Sequence, residues 1–122
     1  MMENRFEKKP APSWGWVWQA ITGAGLIILL ALHMIANHFV APEGIRDFQQ
    51  VVEYLRTPVI VILEVLFLVV VTSHALLGVR AILFDFGLSE RTEKRVSLAL
   101  TVLGALTVVY GLWLTWTITR QI

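Results

Sequence analysis

The chain contains no cysteine. It can therefore form no disulfide, and it offers no thiolate to an iron–sulfur cluster or a structural zinc ion. Charge is also scarce: Asp, Glu, Lys and Arg make up 16% of the 122 residues, against 57% hydrophobic residues, and the mean hydropathy is +0.70. Ordinary globular domains carry about 25% charge, so a soluble fold is excluded. Neither sign dominates, with ten Lys and Arg against nine Asp and Glu and a net charge of +1. The basic residues are scattered along an apolar chain instead of forming a patch, which argues against a nucleic-acid binder. Without thiols, metal chemistry has to run through the three histidines, His33, His38 and His74.

What the chain has in abundance is long apolar runs. Between Lys9 and Glu43 lie thirty-three residues with no Asp, Glu, Lys or Arg, and about twenty helical residues suffice to cross a bilayer core. A second run, from Pro58 to Phe86, starts on a proline well suited to a first helical turn, where its missing N–H costs nothing. A third, from Val96 to Thr119, is uncharged and carries Gly104 and Gly111, where a neighbouring helix can approach closely. The fold expected is an all-α membrane protein with three transmembrane helices, at about residues 14–40, 58–86 and 96–119. Residues 1–13 form an N-terminal segment and residues 14–122 a single membrane domain. The first run is longer than the 7–15-residue core of a signal peptide and carries Trp14, Trp16, Trp18, His33 and His38, so it reads as a mature helix.

The flanks set the orientation. Arg5, Lys8, Lys9, Arg91, Lys94 and Arg95 lie on one side, and Arg46, Arg56 and Arg120 on the other. Short cytoplasmic flanks are enriched in Lys and Arg, so the amino terminus and the loop from Gly87 to Arg95 are expected in the cytoplasm, with the chain in the cell membrane. The loop from Ala41 to Thr57 is then external. Within it, Phe48, Val51, Val52 and Leu55 recur at helical spacing, as in a short helix lying on the membrane surface; an ordinary connecting segment fits the same residues.

Ionisable groups within a membrane are costly and mark candidate sites. Here they are His33, Glu64, His74, Arg80 and Asp85. Helical spacing puts His74, Gly78, Ala81 and Asp85 on one stripe and Thr22, Leu26, His33 and Asn37 on another, with His38 pointing elsewhere. If Trp14 and Phe86 mark the same interface, His33 lies roughly 28 Å and His74 roughly 18 Å from it at about 1.5 Å per residue. Imidazoles bound to one iron sit about 2 Å from it, so these two cannot share an iron: either they serve two metal centres or one of them is structural. Gly78, one turn from His74, removes the side chain beside the ring, where a flat macrocycle could lie. Neutral imidazoles in a bundle core are a natural way to hold haem iron. Arg80 could pair with a haem propionate or extend to headgroups. Glu64 reads as a proton-relay carboxylate or as one that reaches the external interface.

The string SHALLGVRAILFDFG, Ser73 to Gly87, resembles the H-x-x-x-G-x-R-x-x-x-x-D-[FY]-G signature of the membrane-anchor cytochrome b subunits of succinate:quinone oxidoreductases. Those are the anchors of succinate dehydrogenase and fumarate reductase complexes. Thr22-Gly23 is similar to a Ser/Thr-Gly pair in the family's first helix, and Ala41 to Gly44 (APEG) to the opening of its external loop. The resemblance implies a second three-helix anchor subunit as partner, a flavoprotein and an iron–sulfur subunit docked on the cytoplasmic side, and haem b held by His74. Two-haem members carry a histidine about ten residues after the first-helix glycine, as His33 follows Gly23. By that similarity His33 holds a second, distal haem iron and His74 the proximal one, two haems per complex shared with the partner anchor, with Thr22, Gly78 and Arg80 beside them. Quinone is the implied electron acceptor. Several ubiquinone-reducing relatives have Ser and Arg where this chain has Trp16 and Ala20. Partner subunits are therefore expected to form most of a quinone site, with Trp16, Arg80 and Asp85 lining it. A rival of another class is a small transporter or proton-conducting subunit whose relay is Glu64, His33 and His74.

Overall fold

A computed structural model of the chain describes residues 13–40, 45 and 47–121. The N-terminal segment, but for Ser13, lies outside the described residues, as do Ala41 to Gly44 and Arg46. The described elements are all helical: α1 (Trp14–Ile35), α2 (Phe48–Tyr54), α3 (Pro58–Phe84) and α4 (Glu90–Thr119).

Each start has a local cause. Ser13 accepts from the Trp16 N–H at 3.3 Å, supplying one partner for the orphan donors of the first turn of α1. Asp47 and Gln50 form a reciprocal capping box around the start of α2. Thr57 precedes Pro58, which takes the first position of α3. Ser89 caps α4, where Glu90 and Glu93 face the positive end of the helix dipole. Between α3 and α4 the chain turns at Gly87, whose φ of +71° lies in the left-handed region.

Helices α1, with its extension to Phe39, α3 and α4 are 26, 27 and 30 residues long and apolar enough to cross a membrane. The expected spans thus hold, with shifted ends. The first is α-helical only to Ile35 and continues as a wider π-turn over Ala36–Val40. The second stops at Phe84. The third begins six residues earlier than the apolar run, because the Ser89 cap and the polar stretch Glu90 to Arg95 are themselves good first turns. Of the two readings of the loop between the first and second spans, the helical one holds: Phe48–Tyr54 forms α2, with Leu55 just after it buried.

Helix α3 is central: α1 packs on one side and α4 on another, and α1 and α4 barely touch. The glycines of α4 make its contact possible. A Cβ on Gly104 would stand 2.6 Å from Leu76 Cδ1, and one on Gly111 2.5 Å from Leu68 Cδ2. Helix packing in lipid relies on such close approach. Among the described residues only Thr22, Ala36 and Leu55 are buried, while large apolar side chains such as Ile27, Ile62, Leu106 and Trp116 are more than half exposed. In water this would be untenable; in a bilayer the hydrocarbon covers those faces and helices satisfy their own backbone groups.

Candidate functional site

Helices α1 and α3 run antiparallel, and their contacts fix the register. Gly15 lies near Arg80, Gly78 opposite Gln19, Gly23 against His74, Gly25 near Val70, and His33 beside Glu64. Trp14 is therefore level with residues about 82, not with Phe86. The levels of His74 and His33 consequently differ by ten residues of α3 and eleven of α1, about 15 Å at 1.5 Å per residue. That is wider than the roughly 10 Å expected on the premise that the two aromatic markers are level. The conclusion that the two rings occupy separate sites is strengthened.

The first site is built on the α1–α3 seam. The Thr22 hydroxyl lies 2.9 Å from the Trp18 carbonyl and 3.1 Å from that of Gln19, the usual back-bond of a helical threonine. With its proton directed there, its oxygen is left to accept from His74 Nδ1 at 3.1 Å. The His74 tautomer is then Nδ1–H, with the free lone pair on Nε2. Thr22 is 2% exposed, so this bond is shielded from water. Gly23 completes the seat, since a Cβ there would come within 3.2 Å of His74 Cε1. One turn on, the space left by Gly78 holds the Gln19 amide, whose nitrogen is 3.3 Å from where a Cβ would be. Gln19 Oε1 is buried and has no hydrogen-bond partner among the described residues. Gly78 thus permits α1 to approach α3, and the room beside the imidazole that was expected of it is filled from this chain's own first helix.

The second site draws on three elements. His33 Nδ1 is 2.8 Å and 3.1 Å from the two carboxylate oxygens of Glu64. A carboxylate has no hydrogen to give, so Nδ1–H donates and Nε2 again carries the lone pair. The imidazole stacks on Phe67, with centroids 4.5 Å apart and planes 22° apart. Asn37, in the π-turn, donates to the His33 carbonyl at 2.7 Å and to the Tyr54 phenol at 3.2 Å, with Glu64 Oε1 at 3.5 Å. Tyr54, reaching in from α2, donates a hydrogen bond to Glu64 Oε1. Burial, then that hydrogen bond and the charge of Glu64, hold the phenol far above its ordinary pKa, so it keeps its proton. Glu64 is satisfied inside the protein and does not reach for the interface; His38 is exposed.

Between α3 and α4 opens a cleft of 570 Å³, with Ser73 and Arg80 on one wall and Ser97 and Gly104 on the other. Arg80 Nε donates to Ser97 Oγ at 3.0 Å, and the guanidinium lies 4.3 Å from the centroid of the Phe84 ring. It does not pair with Asp85, which ends α3 with its side chain exposed; Trp16 is 64% exposed.

The sequence pattern singles out both histidines, Thr22, Asn37 and Glu64, and the structure joins them in two groups. It misses Tyr54, Gln19 and Phe67. Gln19 and Phe67 lie one turn from Thr22 and Glu64 and were findable by spacing. Tyr54 belongs to another helix, and nothing local points to it.

The chain matches, over residues 5–112, the family described as Succinate dehydrogenase/Fumarate reductase transmembrane subunit. It is 33% identical over 118 residues to the succinate dehydrogenase hydrophobic membrane anchor subunit of Archaeoglobus fulgidus, covering 97% of this chain and 100% of that one. To the protein of the same description from Thermoplasma acidophilum it is 28% identical over 93 residues, 76% of each chain. To the succinate dehydrogenase 2 membrane subunit of Mycobacterium tuberculosis it is 33% identical over 75 residues, 60% of this chain and 53% of that one.

Proposed function

Since this chain belongs to the succinate dehydrogenase/fumarate reductase transmembrane subunit family, we propose that it is the haem b-binding anchor of a succinate:quinone oxidoreductase. In this reading His74 ligates one haem iron and His33 a second. The observation that carries it is the shared state of the two rings. Each imidazole is pinned through Nδ1–H, and no hydrogen bond among the described residues engages either Nε2. A metal-binding histidine characteristically has its other ring nitrogen held in this way.

The donor set fits a macrocycle better than a bare ion. Among the described residues no three His, Asp or Glu side chains converge. One imidazole per level suits a metal that a porphyrin would hold, with any further protein ligand to come from a partner three-helix anchor. When bound, haem b accepts and returns single electrons. The protein's own part is to seat each ring and to fix its tautomer. Thr22 and Gly23 do this for His74, and Glu64, Asn37 and Phe67 for His33.

By the balance of basic flanks, the end carrying Trp14 and Arg91 to Arg95 faces the cytoplasm of the cell membrane, and the flavoprotein and iron–sulfur subunits dock there. Electrons leaving them pass to quinone in the bilayer. Trp16, Arg80 and Asp85 stand at that end and line the edge of a quinone site formed mainly by partners. The rival relay of Glu64, His33 and His74 is poorly served by this geometry: Glu64 and His33 are bonded, but His74 lies about 15 Å from them.

The test is a reduced-minus-oxidised spectrum of the purified complex with its haem-to-flavin ratio. A b-type α-band and a ratio of two are expected, with His74→Ala removing one haem. A colourless complex, or a band unchanged by His74→Ala, would overturn the assignment.

A further inference from the structure

We propose that Glu64 is a positioning residue that sets the electron-donating strength of His33, and that Tyr54 moderates it from α2. The inference rests on the reading of His33 as a haem ligand and adds two residues which that reading does not require.

The environment of Glu64 is the first argument. Its neighbours along α3, from Val59 to Leu68, are otherwise all apolar. Helix packing there is satisfied by hydrocarbon, and a carboxylate in the span is expensive. It is kept with both oxygens engaged: Oε2 by His33 at 2.8 Å, and Oε1 by Tyr54, with Asn37 at 3.5 Å. Three residues from three elements, Glu64, Asn37 and Tyr54, thus converge on the one imidazole.

The chemistry of the acceptor is the second. His74 donates to a neutral hydroxyl and His33 to a carboxylate. A carboxylate draws the Nδ1 proton and makes Nε2 a stronger donor, which favours the more positive, oxidised state of a bound iron; its own negative charge acts in the same direction. Stacking on Phe67 holds the ring in one plane, so the effect is delivered through a fixed geometry.

Tyr54 acts with the opposite sign. Its phenol O–H donates into Oε1 and withdraws charge from the carboxylate. Removing that hydroxyl leaves Glu64 a stronger acceptor for His33. The two substitutions therefore move the same haem in opposite directions, which mere loosening of the packing would not do.

The experiment is a redox titration of the intact membrane complex, followed optically and by the low-spin ferric haem signal in electron paramagnetic resonance. The wild type is compared with Glu64→Gln, Tyr54→Phe and His33→Ala. In Glu64→Gln both haems are retained, and the ferrous-to-ferric ratio of one haem at a fixed potential rises at least tenfold, an upward shift of about 59 mV for one electron; the other haem stays where it was. Tyr54→Phe shifts the same haem downward. An unmoved haem in Glu64→Gln, or shifts of the same sign in both variants, would overturn the proposal. If Glu64→Gln loses the haem, Tyr54→Phe decides alone, and an unchanged or raised potential there refutes it. His33→Ala separates the two levels of the argument. A haem count undiminished by it refutes the ligand assignment itself, whereas loss of one haem with no shift in Glu64→Gln refutes only the role of Glu64.

Discussion

Two of the three histidines, His74 and His33, are held in opposite ways. His74 sits in a seam made of small residues: Gly23 lets the imidazole lie against α1, and a single hydroxyl on the same helix accepts a hydrogen bond from its Nδ1–H. His33 sits in a polar cluster drawn from α1 and its π-turn, from α2 and from α3, with a carboxylate at the centre. The first arrangement is a matter of shape, the second of charge. They teach that one imidazole chemistry can be supported in lipid by removing atoms or by adding polar ones. The second route binds the surface helix α2 to the membrane helices.

The largest effects break the sites themselves. His74→Ala and His33→Ala should each remove one haem and leave the other, as measured by haem-to-flavin ratio. The sites are about 15 Å apart along the bundle, beyond the range at which substitutions usually couple, so the double variant should show the sum of the single losses. Loss of both haems from either single substitution would mean that the sites are not independent.

Next in size is Gly23→Val. It places atoms where His74 Cε1 already lies 3.2 Å from a Cβ position, an overpacking worth about 1–3 kcal/mol. It should lower thermal stability and occupancy at His74 while sparing His33. Equal damage at both sites would erase the distinction between a seat of shape and a seat of charge.

A smaller change, Thr22→Val, keeps the volume and removes the acceptor. The half-buried His74 Nδ1–H is then left without its partner, at a cost of about 1 kcal/mol. We expect a shift in the His74 haem's potential with the haem retained. His38→Ala should change nothing measurable in haem content, since that ring is exposed and lies outside both groups.

The same contrast explains what was legible in the sequence. The three spans could be read because apolar runs of this length have few alternatives, and Gly104 and Gly111 because a glycine in a membrane helix points to close approach. The His74 seat was legible only in part: spacing joins His74 and Gly78 on α3, but it sets Thr22 on the stripe of His33, and the contact of Thr22 and Gly23 with His74 depends on how α1 lies against α3. Depth was not. The register of α1 on α3 is set by which side chains interlock, and Trp14 and Phe86 are not level despite both being terminal aromatics. Nor could periodicity reveal Tyr54, which reaches Glu64 and Asn37 from a separate element, α2. Glu64 was visible as an oddity, but its partner lay in a segment that reads equally well as a plain connection.

The central claim is that the chain carries two separate imidazole sites for haem, one per level. The most direct measurement is the haem-to-flavin ratio of the intact complex, wild type beside His33→Ala. The account predicts two falling to one, with the His74-dependent absorption band preserved; a wild-type ratio of one, or a ratio that His33→Ala leaves unchanged, would contradict it.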